Sequence, residues 1–321
     1  MAVPSGTGQT YAYTTIREDL EDIVYKISPT ETPIFNMVGR KGDFENTYHE
    51  WSTVELAAAD GNNKNVEGDD VTNDAATAAV SFGNYAQLMD KVAGVSSTNE
   101  RVKSAGAVTK MAKQILYKTQ EIKRDMETRM LSNTAAAAGS ASVARETAGL
   151  GAFMRTNVSR GAGGSSPTLS GTTSGYPNLA PVNGTQREFT EALLVPVLQA
   201  VWEQGGNATT IVVGGFNKRQ ASGFAGNASR FKRAEDKKLI AAIEVYESDF
   251  GQLQIVPSRN TVTRQAYVID PDYVEIGWLQ SMQNTPLAKT GHADRRMVWA
   301  EWGLIVGNEK ALGLVADLTT S

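Results

Sequence analysis

Two histidines, His49 and His292, are the side chains best suited to moving protons near neutral pH, and they lie far apart in the chain. His292 has Asp294 two residues on, a spacing that suits a shared turn but brings neither a nucleophile nor a third metal ligand. The absence of cysteine excludes disulfides, thiolate metal sites and thiol nucleophiles together. No G-x-S-x-G elbow, Walker loop or H-E-x-x-H is present. Carboxylates gather in "DGNNKNVEGDD". An EF-hand loop starting at Asp60 needs an oxygen at its fifth position and Gly at its sixth, where the chain has Lys64 and Asn65. A looser calcium site from Glu67, Asp69 and Asp70 stays open beside a solvated loop tip. "GAGGSSPTLSG" has no strand feeding it and no closing Lys-Ser or Lys-Thr, so it reads as a linker, not a phosphate cradle. These residues point to no enzyme, no cofactor and no metal.

The charge balance narrows the partners. With 31 Lys and Arg against 35 Asp and Glu, the net charge is −4, which argues against a sequence reader of nucleic acid. It leaves room for a protein that encloses nucleic acid without gripping it. A length of 321 residues with 41% hydrophobic content allows one large core or two domains. No run of about 18 apolar residues offers a membrane span, and "MAVPSGTGQTYAY" does not read as a secretory signal.

The elements that must position these residues begin with an arm. Thr15-Ile16-Arg17-Glu18 is a capping box, and Ile16, Leu20, Ile23, Val24 and Ile27 follow at helical spacing. Glu18, Asp19, Glu21 and Asp22 line the other face. In "TETPIFNMVGRKGDFENTYHEW", Thr32 and Pro33 open a one-turn helix that buries Ile34, Phe35, Met37 and Val38, and Gly39 stops it. Residues 44–56 and 80–95 read as two extended stretches around a polar middle. Such a ribbon would project, and its stability would come from a neighbour.

The strongest local signal is Ala105 to Ser132, where Val108, Met111, Ile115, Ile122, Met126 and Met130 hold one stripe along roughly 40 Å of helix. Lys110, Lys113, Lys118, Lys123 and Arg124 on its other faces could meet phosphates, without specificity. Glu127 is read among the solvated charges. Residues 157–186 are nearly all Gly, Ser, Thr, Asn and Pro and mark a boundary. Helix returns over 187–204, with a kink at Pro196. "TTIVVGG" is a buried strand, "FNKRQASGFAG" turns into a short helix, and a hairpin turns at Asp249-Phe250-Gly251. "AYVIDPDYVEIGWLQSM" and "RRMVWAEWGLIVGN" read as long strands, the second with Val298, Ala300, Trp302, Leu304 and Val306 on one face.

Taken in order, these pieces resemble the major capsid proteins of tailed double-stranded DNA bacteriophages, of the Hong Kong 97 type. "TETPIFNMVG" is similar to the T-x-T-P-apolar anchor of one capsid family. "VYESDFGQLQIVPSRN" and "LAKTGHADRRMVWAEWGLIVGNEKALGLVADL" are similar to its C-terminal signatures. The resemblance implies an α+β fold with an N-terminal arm (1–43), an E-loop ribbon (44–96), a peripheral domain (97–160 and 277–308, with spine helix 104–132) and an axial domain (161–276 and 309–321). It implies self-assembly as hexamers and pentamers into an icosahedral head around non-specifically held double-stranded DNA. It also implies a portal, a separate scaffolding protein or none, a possible cement protein, no membrane, and assembly in the host cytoplasm. Intersubunit contacts would fall on Ile16, Leu20, Ile23, Phe35, Tyr48, Trp51, Phe82 and Tyr85. An encapsulin-like shell around cargo protein and a tail or decoration protein are the competing readings.

Overall fold

Pro33 opens the first helix, α1 (Pro33–Met37), and Val38 ends it in extended conformation. Its Ile34 and Phe35 are buried, with Val38 beside them. A computed structural model describes residues 30–68, 70, 73–103, 110–224 and 245–321, with backbone alone for 41–43. The expected arm helix over Thr15–Ile27 lies outside the described residues.

From α1 the chain enters β1 (Gly39–Asp43), which runs parallel to β12 (Val274–Pro286). That strand pairs antiparallel with β13 (Ala293–Val306), which pairs antiparallel with β4 (Gln87–Ser96), giving the order β1-β12-β13-β4. Helix α3 (Met111–Met130) packs on this sheet. Its Ile122, Met126 and Met130 enter one core with Val298, Trp302 and Leu304. The expected stripe thus packs along its C-terminal half, while 104–109 lie outside the described residues. On β13 the alternate positions Val298 to Val306 are buried as expected, and so are Glu301 and Ile305 between them. This end of the sheet is covered on both faces.

A second sheet has the order β5-β14-β11-β8-β10-β9. Its strands are β5 (Val158–Ser159), β14 (Gly313–Val315), β11 (Ala266–Ile269), β8 (Thr210–Val213), β10 (Gly251–Pro257) and β9 (Val245–Ser248). Helix α4 (Leu150–Phe153) precedes β5, α5 (Glu191–Glu203) carries Pro196 inside it, and α6 (Gly215–Ala221) follows β8. β8 is buried throughout, as a continuous apolar run requires. β11 shows the strand period of two: Tyr267 and Ile269 join the core under α3, while Ala266 and Val268 join a second core with Leu194, Ile211 and Ile255. One strand therefore separates two cores. The β9–β10 hairpin turns at Asp249-Phe250, with Gly251 at φ 135°.

Three expectations are corrected. The single strand read through "AYVIDPDYVEIGWLQSM" is two, β11 and β12, in different sheets. Pro271 removes a ladder donor, and Asp270 accepts from the Asp272 N–H at 3.2 Å, closing a 3-10 turn over Pro271–Tyr273. The second ribbon stretch also divides. β3 (Val80–Tyr85) pairs with β2 (Tyr48–Thr53), whereas β4 belongs to the four-stranded sheet, with buried Ala86 at the break. The linker expected at "GAGGSSPTLSG" is folded, as part of the segment 157–186. That segment contributes β5, pairs β6 (Thr168–Leu169) with β7 (Pro177–Leu179), and is clasped by Asp317.

Candidate assembly site: the arm anchor and the ribbon base

Glu127 is fully buried although it sits on α3 among charged residues. Its Oε2 accepts from the Phe35 N–H at 3.3 Å and its Oε1 from Ser258 Oγ at 2.8 Å, with Ile34 N–H and the Asn260 side chain adding hydrogen bonds. The carboxylate satisfies the open N–H groups at the start of α1, where Thr32 makes no side-chain cap. Burial pushes the Glu127 carboxyl above the ordinary range, and these hydrogen bonds pull it back in part. One buried group thereby ties the arm anchor to α3 and to the end of β10. The sequence hid it, because a Glu beside a charged face reads as solvated.

The ribbon segment begins at Phe44. Its ring lies over Gly277 and Gly303, which face each other across β12 and β13. A Cβ at either glycine would fall well inside van der Waals contact with that ring. His49 stacks on Phe44 at 4.5 Å, and burial lowers its pKa. Glycine inside a strand is a readable sign of close approach, and this pair could have been found that way.

Beyond Phe44 the ribbon base is held by its own chain. Tyr48, Tyr85 and Tyr176 form an aromatic cluster with centroids 4.8 to 6.0 Å apart. Burial first, and then Glu50, push the Tyr48 phenol up to about 12. Trp51 lies 5.9 Å from Phe153. Buried Asn84 donates to Leu304 O at 2.8 Å and accepts from the Ala148 and Tyr85 N–H groups at 2.9 Å each. The outer edge of β3 is bonded through Gly83 and Ser81 to Gly175. The expectation that the whole ribbon projects is therefore corrected: 48–53 and 80–85 lie on the body, and 54–79 are exposed wherever described.

This sorts the expected contact residues. Ile16, Leu20 and Ile23 lie outside the described residues. Phe35 is 2% exposed within one chain and has no surface to offer, so its place in the contact set is withdrawn. Tyr48, Trp51, Phe82 and Tyr85 are half-buried against their own chain. Val54, Leu56 and Val66, which the sequence reading passed over, are 55%, 89% and 75% exposed.

The basic residues of α3 are mostly engaged locally. Lys110 Nζ donates to the Asn99, Glu100 and Val102 carbonyls, closing the end of α2 (Ser97–Arg101). Lys118 pairs with Glu121 at 2.9 Å, and Lys123 lies over the Phe35 ring at 5.9 Å. Arg124 Nε is buried, and Lys113 is exposed. At the ribbon tip Glu67 and Asp70 are exposed, Asp69 lies outside the described residues, and no group of three His, Asp or Glu among the described residues could hold a metal ion. No described helix is long and apolar enough to cross a membrane.

The same architecture occurs in solved shells. The cyanophage A-1(L) capsid asymmetric unit covers 95% of this chain and 98% of its own, at 12% identity and a TM-score of 0.65. A holo encapsulin complex from Synechococcus elongatus covers 98% and 97%, at 10% identity and a TM-score of 0.58. At such identities the likeness shows the fold alone, which is the Hong Kong 97-type capsid fold. A major capsid protein of Escherichia phage Phieco32 is 35% identical over 109 residues, 34% of this chain and 31% of that protein, so the match spans about a third of the relative's length. The SU10 major capsid protein family matches from residue 4 to residue 319, and the chain belongs to that family.

Proposed function

We propose that the chain is the structural subunit of an icosahedral phage head, closing into hexamers and pentamers around double-stranded DNA. Membership of a major capsid protein family over nearly the whole chain carries this reading. Rotational contacts close such rings, and segments reaching between subunits add many modest contacts through multivalency. The apolar side chains of 54–79, exposed on one chain, suit a neighbour's surface. In this reading residues 1–43 are the arm, the ribbon runs from 44 to Ala86, and the four-stranded sheet with α3 forms the peripheral domain. The six-stranded sheet with the C-terminal residues forms the axial domain. Portal, scaffolding and cement proteins are the expected partners, and the host cytoplasm is the expected place of assembly. With few basic side chains of α3 free, the DNA would be enclosed more than gripped.

Analytical ultracentrifugation of the purified chain, with electron microscopy of the fast fraction, tests the proposal. Shells or five- and six-fold rings are expected, with nucleic acid inside when they form in infected cells. Shells filled with a defined cargo protein would favour an encapsulin. A 34.4 kDa monomer at every concentration, with no scaffold able to rescue it, would overturn the proposal.

A further inference from the structure

Asp317 is 1% exposed and sits at φ 60°, a left-handed conformation that Asp tolerates better than most residues. Its Oδ2 accepts from the Gly161 N–H at 3.0 Å and its Oδ1 from the Gly184 N–H at 2.8 Å. Arg264 Nη2 lies 3.5 Å from Oδ1 and donates to Gly184 O at 2.9 Å. Arg187 Nη2 donates to Ser159 Oγ at 2.9 Å and Ala316 O at 3.3 Å, and Asp317 is the carboxylate whose field reaches both Arg187 and Arg160. Arg264 thus reaches the carboxylate directly, while Arg187 is held to Ala316, the chain neighbour of Asp317, and Arg160 precedes Gly161, whose N–H the carboxylate accepts.

The donors outnumber the acceptors as well. All three guanidinium nitrogens of Arg160, Nε of Arg187 and of Arg264, and Nε2 of Gln265 are buried without a hydrogen-bond partner among the described residues. Gln265 is 1% exposed, and its Oε1 is taken by the Tyr267 hydroxyl at 2.5 Å. Tyr267 in turn lies within the field of Arg160, so these groups form one neighbourhood. Buried groups of this kind ordinarily have partners, and an unpaired one points to a bound water or ion. Water would answer the hydrogen bonds but not the surplus positive charge, and buried charges are costly unless paired. The nitrogens are closed to solvent, which excludes a neighbouring chain's carboxylate or a DNA phosphate, since both bring bulky backbones.

We propose that Arg160, Arg187, Arg264 and Gln265 bind one inorganic anion of halide size, seated beside Asp317. The anion fastens the 157–186 segment to the C-terminal residues that close the six-stranded sheet.

Calorimetry of the full-length protein in sodium chloride and in sodium gluconate, at equal ionic strength, tests this. Chloride should raise Tm with the logarithm of its concentration above the dissociation constant, by about 2–4 °C at about 10 to 100 times that constant. Bromide should reproduce the gain, and its anomalous scattering should place it against Arg160. Arg160→Met should abolish the gain. Should that variant fail to fold, Gln265→Leu keeps every charge and should raise the half-saturating chloride concentration about 5- to 10-fold. Equal Tm in both salts, a chloride gain surviving in both variants, or an equal gain in sulfate would overturn the proposal.

Discussion

Residues 54–79 and 157–186 have similar compositions and opposite fates. Both are polar, rich in small residues and without an apolar period. The first is exposed wherever described. Its ties include the short-range turn from Asn62 N–H to Asp60 Oδ1 at 2.8 Å and an ion pair between Glu55 and Lys310 at 2.6 Å. The second is wound onto the body. Asn157 donates to the Lys310 and Leu312 carbonyls, Pro177 O accepts from the Ala136 N–H, and Asp317 takes the Gly161 and Gly184 N–H groups. A polar segment is ordered when distant parts of the chain supply fixed partners for its backbone, because unpaired buried peptide groups are costly. The partners, not the composition, separate a wall from a reaching loop.

Removing the partner should convert one segment into the other. Asp317→Ala leaves two backbone N–H groups and the Arg264 guanidinium without their carboxylate, and should cost about 3–5 kcal/mol. Denaturant unfolding measures that loss. Limited proteolysis should then cut between Gly161 and Gly184 in the variant and spare that segment in the unaltered chain. An uncut segment in a folded Asp317→Ala protein would mean that its order has another source.

The junction between ribbon and body offers the next test. Gly303→Ala places a methyl group where the Phe44 ring lies, and overpacking of this kind typically costs about 1–3 kcal/mol. Phe44→Ala in the same chain should recover part of that loss, since the ring is what the methyl displaces. No recovery would place the strain in β13 itself.

Glu127 separates hydrogen bonding from ion pairing, since the Phe35 N–H and the Ser258 hydroxyl that it meets are hydrogen-bond donors and not cations. Its folded-state pKa lies above the ordinary carboxylate value, so the native chain keeps this proton at pH values where the unfolded chain has released it. The contribution to stability therefore falls as pH rises from the ordinary value through the raised one. Glu127→Gln should remove that slope while keeping an acceptor for the Phe35 N–H. Parallel pH profiles for the two proteins would show that the carboxyl does not titrate in this window. His49 works in the opposite direction, its lowered pKa making stability fall as pH drops below the ordinary imidazole value.

Much of this was legible in the residues. The one-turn anchor at Pro33, the buried β8, the turn at Asp249-Phe250 and the long strand β13 all follow from local patterns. What stayed hidden depends on partners far away in sequence. Glu127 meets Phe35 across 92 positions, and Asp317 meets Gly161 across 156. No period or propensity encodes such a pair. Gly277 and Gly303 are intermediate, since strand glycines announce a close approach without naming the ring that makes it.

The smallest effect on stability belongs to the exposed loop, and there the comparison is sharpest. Leu56→Ser and Val66→Ser change side chains that one chain leaves 89% and 75% exposed, so unfolding should move by no more than about 0.5 kcal/mol. Assembly should respond instead, because a neighbour that buries both side chains gains about 1.5–3 kcal/mol from each apolar side chain it fully covers. A shell repeats that loss at every equivalent contact. The critical subunit concentration, read by light scattering, should therefore rise steeply in the double variant while its calorimetric trace stays unchanged. If unfolding shifts and assembly does not, residues 54–79 serve their own chain, and the contrast with 157–186 collapses. If assembly alone shifts, the loop's exposure on one chain is the surface that the next chain covers.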